Sequence, residues 1–455
     1  MRKVKNLAVI VLCSILCFCG LLLAFLHFQS CYADTNLIEM TFCYKDKIYR
    51  YSTQNFDNTD NFYFKSQGQK YGRMGTNIER AELVQKVRAL GFTPKETCNY
   101  CFKGLDNVIE NMQKDIDCEP KDATLTFKPN LAPYFFFAHE KIGYHLDLDS
   151  LLTEIVQKLR TDTKFTIDLQ PKQLLPNVYY KDLAGYANLR SSFYTSFSAN
   201  ENRSHNIALA ISKFNGMEIE IDKEYSFNET TGRRTENNGY KPANIIVDKK
   251  YVEGYGGGVC QASTTLYNAL LLAGLDFREL HSHSLASNYV NMGFDAMVNF
   301  GSSDLRWVNN TDTKMFIRTY VQGNRVGVEI YGKPEKAHYT CKRVTEIEEQ
   351  IAPQKDEVII DKNGEYANLV IYKDESAYIT YPKNGHKVRA ILEKYEGERL
   401  VERKLLRRVS YGAVRGVKVV GAKDRPKIEE KVEQNVGLSE QIRAFWQNQT
   451  SMQNQ

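Results

Sequence analysis

The sequence predicts an α+β protein of several domains, and three observations support this prediction. A chain of 455 residues is longer than one hydrophobic core usually serves. A composition of 42% hydrophobic and 25% charged residues is typical of folded domains and excludes a wholly disordered chain. Apolar residues recur with helical spacing in some segments and alternate in others. In chain order we expect a transmembrane helix, an α+β domain, a mixed α/β domain and an all-β module.

Residues 1–33 are predicted to form a short cytoplasmic stub and a membrane anchor. Basic residues precede an almost uninterrupted apolar run at 7–28, and a helix with a rise of about 1.5 Å per residue would span the roughly 30 Å hydrocarbon core. The basic side should stay in the cytoplasm, so this pattern indicates a single-pass protein with the rest of the chain outside. A cleaved signal peptide ending near Ala33 is the alternative.

Residues 34–185 are predicted to form an α+β domain. The segments 37–42 and 47–51 alternate as strands do. The segments 79–90 and 105–112 place apolar residues three and four apart, which is typical of amphipathic helices. Further strands are expected at 123–127, 135–139 and 143–145, and a helix at 149–159.

The cysteines of this domain, four of the ten in the chain, do not predict a metal site. Cys98 and Cys101 have the spacing of a zinc knuckle or a redox pair, but no second matched pair follows. Together with Cys43 and Cys118 they form an even set, for which local disulfides are an alternative outside the cytoplasm. We therefore expect no metal and no other cofactor.

The central region, residues 186–335, contains a cysteine in a setting that favours reactivity. Three glycines, Gly256 to Gly258, precede a helix predicted from Cys260 to Ala273. In the first turn of a helix, unpaired N–H groups and the helix dipole favour thiolate over thiol. The backbone at Gly257 and Gly258 and the side chain of Gln261 are candidates for stabilising an oxyanion. A cysteine at such a position is more often a small buried residue, and that interpretation stays open.

Histidines and acids downstream complete a predicted catalytic group. His281 and His283 follow the helix closely enough to return beside Cys260, and His283 is our choice as the base because it matches a His-Ser position of the family that this region resembles. His205 and His281 remain alternatives. Asp295 is the candidate that orients the imidazole, with Asp304 as the second choice.

Two arginines and the net charge indicate which kinds of ligand the protein could bind. Arg233 and Arg306 are candidates for pairing with a substrate carboxylate. The net charge of +5 without a dense basic tract argues against nucleic-acid binding.

The last segments complete the chain. Residues 340–422 alternate as short strands separated by glycines, which predicts an all-β module, and residues 423–455 form a polar tail.

The order of motifs in the central region closely resembles the VanW family. The resemblance rests on Asn-His-Asn-Ile-like residues near 206, Phe-Asn near 227, the Gly-Gly-Gly-Val-Cys-Gln run ending at Gln261, and Gly-Phe-Asp-Ala at 293–296. Residues 124–176 loosely resemble a peptidoglycan-binding domain that often precedes it, and residues 340–422 resemble a G5 domain, a glycan-holding module.

The resemblance implies work on peptidoglycan. For some VanW members it implies an L,D-transpeptidase, with Cys260 attacking a stem peptide and joining the third residues of two stems. The expected partners are then stem peptides, glycan and the cytoplasmic membrane, with the ectodomain facing the cell wall. The alternatives are a non-catalytic wall-binding protein linked to glycopeptide (vancomycin) resistance and a hydrolase that uses water as acceptor.

Overall fold

The computed structural model describes residues 37–53, 77–198, 200–247, 250–334, 339–426 and 443. The chain divides into two compact units, the first formed by 1–126 with 135–184 and the second by 127–134 with 185–455. Most of the predicted polar tail lies outside the described residues.

The predicted localisation has to be corrected. Among the residues that the structure describes, no helix combines the length and the apolar character needed to cross a membrane. This finding conflicts with a single-pass membrane protein. The apolar run at 7–28 on which that prediction rested lies outside the described residues.

The first unit mixes helices with three small sheets. Strand β1 is the centre of one sheet, antiparallel to β2 and parallel to β6, while β3 pairs with β4 and β5 with β7. The elements are β1 (Glu39–Tyr44), β2 (Lys47–Ser52), α1 (Asn77–Ala89), α2 (Pro94–Cys101), α3 (Leu105–Ile116), β3 (Thr124–Phe127), β4 (Phe135–Ala138), β5 (Gly143–His145), α4 (Leu148–Leu159), β6 (Lys164–Asp168), β7 (Lys172–Leu174) and α5 (Tyr180–Leu183).

Local sequence signals explain where these helices begin. Thr93 caps α2, accepting the N–H of Glu96 while the Glu96 carboxylate accepts the N–H of Thr93, with Pro94 in the first turn. Asp147 caps α4 in the same way. The apolar faces of α1 to α4 and of β1 bury one shared core. Cys98 and Cys101 lie in that core, and among the described cysteines none forms a disulfide.

The second unit holds the central region and the carboxy-terminal strands. Its elements are β8 (Leu189–Ser196), α6 (Glu201–Ser212), β9 (Glu218–Ile219), β10 (Glu224–Ser226), α7 (Phe227–Thr231), β11 (Pro242–Val247), β12 (Lys250–Tyr255), α8 (Val259–Leu272), β13 (Asp276–Glu279), β14 (Arg306–Val308), β15 (Met315–Gln322), β16 (Arg325–Gly332), β17 (Tyr339–Ile351), β18 (Glu357–Asp361), β19 (Ser376–Thr380), β20 (Gly385–Glu396), β21 (Arg399–Tyr411) and β22 (Val417–Gly421).

Helix α8 is the centre of this unit. It is buried on nearly every side, packing on α6 and on the antiparallel sheet β8-β16-β15-β9. Its polar residues are satisfied inside: the Thr265 hydroxyl lies 2.8 Å from that of Thr195, and Ser191 donates to the carbonyl of Ala269. A helix so enclosed fixes the position of whatever its first turn carries.

The carboxy-terminal strands form two further sheets. Three long antiparallel strands give the sheet β17-β20-β21, and β22 joins β18 in parallel and β19 in antiparallel fashion in the second. Ala390 of β20 belongs to the same hydrophobic core as α8. This contact brings the first of the two sheets against the central region.

Candidate active site

Cys260 is the second residue of α8. Gly258 caps the helix with a φ of 107°, and Val259 is the first helical residue. Its neighbours along the helix are buried, whereas Cys260 is partly exposed and its Sγ lies 3.4 Å from the carbonyl oxygen of Val298. A sulfur that is anchored by the helix and still reachable can act on a ligand.

The glycine turn before Cys260 is packed against its neighbours. A Cβ on Gly257 would lie 2.6 Å from the carbonyl oxygen of Asn244, and one on Gly258 would lie 2.8 Å from Ile207. The Asn206 side chain donates to the carbonyl of Gly257 at 3.1 Å and accepts the N–H of Lys241 at 2.8 Å. The glycines therefore allow the turn to sit directly on α6.

His283 joins the site between Asp295 and Cys260. The imidazole lies close enough to the Cys260 sulfur that the two groups shift each other's pKa. Its Nδ1 lies 2.7 Å from Oδ2 of Asp295, and the backbone N–H of His283 donates to the same oxygen at 2.7 Å. Because Nδ1 is hydrogen-bonded to the carboxylate, Nε2 is the ring nitrogen that is available to exchange a proton with the sulfur.

Asp295 is almost fully buried, with 1% of its side chain exposed. Its Oδ1 accepts the hydroxyl of Tyr411 at 2.6 Å and faces Arg407 at 3.5 Å. A buried carboxylate with donors on both oxygens is stable as an anion.

The three groups shift one another's pKa. Burial alone would raise the pKa of Cys260, but the hydrogen bond and charge of His283 outweigh it and lower the thiol's pKa below its ordinary value. Burial opposes protonation of His283, yet Asp295 and Cys260 raise the imidazole's pKa to about 10. Burial disfavours charge on Asp295 too, and its bonds with His283 still lower the carboxyl's pKa. The shifts at Cys260 and His283 both favour a thiolate beside an imidazolium over the two neutral groups.

The other predicted bases and acids lie in different networks. His281 pairs with Glu279 at 2.8 Å, and His205 lies 2.8 Å from the carbonyl of Gly239. Asp304 accepts the hydroxyl of Ser226 and the backbone N–H of Asn228. The structure therefore brings Cys260, His283 and Asp295 together, and it gives the alternatives structural partners of their own.

Two arginines that were predicted to bind a ligand contact other residues instead. Arg306 pairs with Glu224 at 2.7 Å and with Glu229 at 3.2 Å. Arg233 is exposed and lies over the ring of Phe300. Because their charges are held by these neighbours, neither is placed beside the sulfur.

Gln261 also has an internal role in place of the oxyanion contact expected of it. Its amide nitrogen donates to the hydroxyl of Thr195 and the carbonyl of Ser196, and its oxygen accepts from Arg203 at 2.9 Å. A different donor lies at the sulfur: in the described part of the chain, no hydrogen bond uses the N–H of Cys260. That backbone group is the candidate for an oxyanion contact.

Two further residues act on Cys260 that the sequence did not reveal. Arg234, the neighbour of Arg233, is half-buried against Gly256, and its charge helps to lower the pKa of Cys260. Tyr289 lies near enough to Cys260 that the charge of Cys260, together with burial, raises the pKa of the Tyr289 hydroxyl. No pattern in the sequence distinguishes these residues from their neighbours.

The comparisons with known proteins include a family model that matches the part of the chain that carries the site. The family model described as VanW like protein matches residues 202–331. In Bacillus subtilis (strain 168), the "Uncharacterized protein YoaR" is 30% identical over 232 residues, which cover 50% of this chain and 75% of that protein.

A solved structure, "Crystal structure of HP0197-G5", is similar over 19% of this chain and all of its own, with 16% identity and a TM-score of 0.11. That score is too low to support the predicted G5-like module. The family match covers the region that holds Cys260, His283 and Asp295, and the alignment with YoaR covers three quarters of that relative. The chain belongs to the VanW family.

Proposed function

We propose that this protein is a cysteine acyl-transferase of the cell wall, an L,D-transpeptidase that joins the third residues of peptidoglycan stem peptides. Membership of the VanW family and similarity to YoaR suggest a cell-wall-related function. The observation that carries the finer proposal is the grouping of Cys260, His283 and Asp295, in which Asp295 holds Nδ1 of His283 and the imidazole acts on the nearby sulfur. A nucleophile, a base and a group that orients the base are the requirements of such a reaction.

In the proposed first half-reaction, the Cys260 thiolate attacks the carbonyl carbon of the third residue in a donor tetrapeptide. The amide bond to the terminal D-alanine breaks, and a thioester forms. The imidazolium of His283 gives its proton to the departing amine. A pKa of about 10 for His283 means that this proton is present at neutral pH.

In the second half-reaction, an amine of a neighbouring stem attacks the thioester. His283 takes a proton from that amine, the carbon–sulfur bond breaks, and the thiolate and imidazolium return. One amide is exchanged for another, so no outside energy source is needed. The N–H of Cys260 and the dipole of α8 support the oxyanion of both steps.

The positive charge near the sulfur suits an anionic donor. Arg203 and Arg234 both pack on the turn at 256–258, and among the described ion pairs neither has a carboxylate partner. Their hydrogen bonds go to neutral acceptors, which include the Gln261 amide oxygen and the carbonyl of Gly232. They are our candidates for the carboxylate of the terminal D-alanine.

The function is tested with the purified full chain and a disaccharide-tetrapeptide. Mass spectrometry should find cross-linked dimers, released D-alanine and a thioester on Cys260. The Cys260→Ala protein should form none of them, while the Cys341→Ala protein, which loses a partly buried cysteine outside the site, should behave as the unmodified chain does.

Other results would change the assignment. Released D-alanine without dimers would indicate a hydrolase. Equal product from the Cys260→Ala protein would exclude the cysteine mechanism, and tight binding without any product would indicate the non-catalytic wall-binding protein.

A further inference from the structure

We infer that the carboxy-terminal sheet β17-β20-β21 completes the active site, with Tyr411 and Arg407 as positioning residues for Asp295. The inference rests on the proposed role of Cys260 as nucleophile. It assigns to this sheet a part in the reaction, beyond the glycan-holding role that its sequence suggests.

Tyr411 uses both hydrogen-bonding roles of its hydroxyl at the site. The hydroxyl donates to Oδ1 of Asp295 at 2.6 Å and accepts the backbone N–H of Gly293 at 2.6 Å. Its side chain is 1% exposed. Burial and the charge of Asp295 raise the pKa of Tyr411, so the donated proton stays on the tyrosine. The hydroxyl thereby fixes which carboxylate oxygen faces His283.

Arg407 holds the backbone of the same loop. Its Nε donates to the carbonyl of Gly293 at 2.9 Å, and its Nη2 donates to the carbonyl of Asp295. The guanidinium also lies near the ring of Tyr267 in α8. One side chain from β21 therefore joins the loop of the acid to the helix of the nucleophile.

Other contacts show that the sheet supports the loops of both His283 and Asp295. A Cβ on Gly293 would lie 2.8 Å from the Cβ of Ala390, so this glycine is needed for the close approach of β20. Thr345 of β17 donates to the carbonyl of Met292 at 2.6 Å. The N–H of Gly412 donates to the carbonyl of Ser284, next to His283, at 2.8 Å. Residues of β17 and β20 and the residue that follows β21 therefore all contact these loops.

The chemical consequence follows from the burial of Asp295. A carboxylate without water needs protein donors to remain charged. The hydrogen bond from Tyr411 contributes to lowering the pKa of Asp295. Without it the carboxyl should take up a proton at higher pH, and a neutral Asp295 supports the imidazolium of His283 less well. The thiolate of Cys260 would then be lost at higher pH too.

The test is the pH dependence of Cys260 alkylation by iodoacetamide in the full chain, followed at the peptide level by mass spectrometry. In the Tyr411→Phe protein, the pH at which Cys260 alkylation falls off on the acid side should rise by about one unit. The reason is that the loss of a hydrogen bond to a charged group changes a protonation equilibrium by roughly tenfold. The matched control is Tyr378→Phe, which removes a hydroxyl that donates to Asp356 elsewhere in the same part of the chain.

A second pair of variants keeps the inference testable if the tyrosine variant folds poorly. Arg407→Gln should lower kcat for dimer formation by about tenfold with little change in KM, whereas Arg403→Gln, on the same strand and paired with Glu346 and Glu393, should leave both unchanged.

Two results bear on different claims. An unmodified chain whose Cys260 reacts as an ordinary thiol would contradict the proposed function itself. A low thiol pKa in the unmodified chain, unchanged in the Tyr411→Phe and Arg407→Gln proteins, would overturn this inference alone.

Discussion

The pKa of a cysteine in this protein is set by the side chains next to its sulfur. Cys98 is buried and Cys260 is only partly exposed, yet their pKa values move in opposite directions. Burial, reinforced by Cys101, raises the pKa of Cys98 to about 12. At Cys260 the same burial is outweighed by His283, and the pKa falls. A cation in contact with the sulfur makes the difference.

Replacing His283 with Gln should reverse the shift at Cys260. The amide keeps a polar group in place but carries no positive charge, so burial dominates and the thiol's pKa rises. The rate of Cys260 alkylation at pH 7 should fall at least about tenfold, because each unit of pKa above the pH removes nine-tenths of the thiolate. His281→Gln, which touches Glu279, is the control and should alkylate normally. Equal rates for both variants would contradict the assignment of His283.

The adjacent residues Arg233 and Arg234 provide a second comparison between single residues. Arg234→Gln removes a charge that acts on Cys260, whereas Arg233→Gln removes an exposed one. We expect the first variant to raise KM for the tetrapeptide donor about tenfold, the scale of a charge-assisted hydrogen bond, and the second to change it little. Steady-state kinetics of D-alanine release measure both. An effect confined to Arg233 would show that the substrate lies on the other side of the turn.

At the scale of elements, the sequence predicted the helix that carries Cys260 well because its signal is local. The glycine run predicted a helix from Cys260 to Ala273, and α8 runs from Val259 to Leu272. The choice of His283 and Asp295 depended on their order along the chain and on the family motif. Their contact had no local signal, since it is made by the fold of the loop between them.

The turn at Gly258 should tolerate no side chain. Its φ of 107° disfavours any residue with a Cβ, and that atom would also meet Ile207 and the backbone of Arg203. Gly258→Ala should cost more than about 1 kcal/mol of unfolding free energy and reduce Cys260 alkylation. Gly397→Ala is the control, because its φ is also positive but nothing lies within 4 Å. Urea denaturation of both proteins measures the difference, and equal losses would contradict the packing argument.

At the scale of the whole molecule, the site draws on residues that are far apart in sequence. Tyr411 follows Asp295 by 116 positions and still donates to it. Strand patterns predicted β20 and β21, but alternation gives neither the register of a sheet nor the surface on which it packs. The carboxy-terminal sheet was therefore expected as a separate glycan-holding module, and its contacts with the catalytic loops were not foreseen.

The two compact units have separate cores. A substitution in the core of the first unit should therefore leave Cys260, in the second unit, unaffected. Ile109 of α3 and Ile207 of α6 are both fully buried, in different clusters. Each Ile→Ala change should cost about 2–5 kcal/mol within its own unit. Ile207→Ala should also disturb Cys260, because Ile207 packs on Gly258. Thermal unfolding and alkylation, measured together, check this, and a slowed alkylation in Ile109→Ala alone would contradict it.

The central claim is that the sulfur of Cys260 is ionised at neutral pH by the imidazolium beside it. The most direct measurement is the rate of Cys260 alkylation in the unmodified chain across the pH range, read from the modified peptide. We predict that the rate stays on its plateau at neutral pH and reaches half of it well below about 8.5, the pKa of a free thiol. A half-maximum at or above that value would contradict the account.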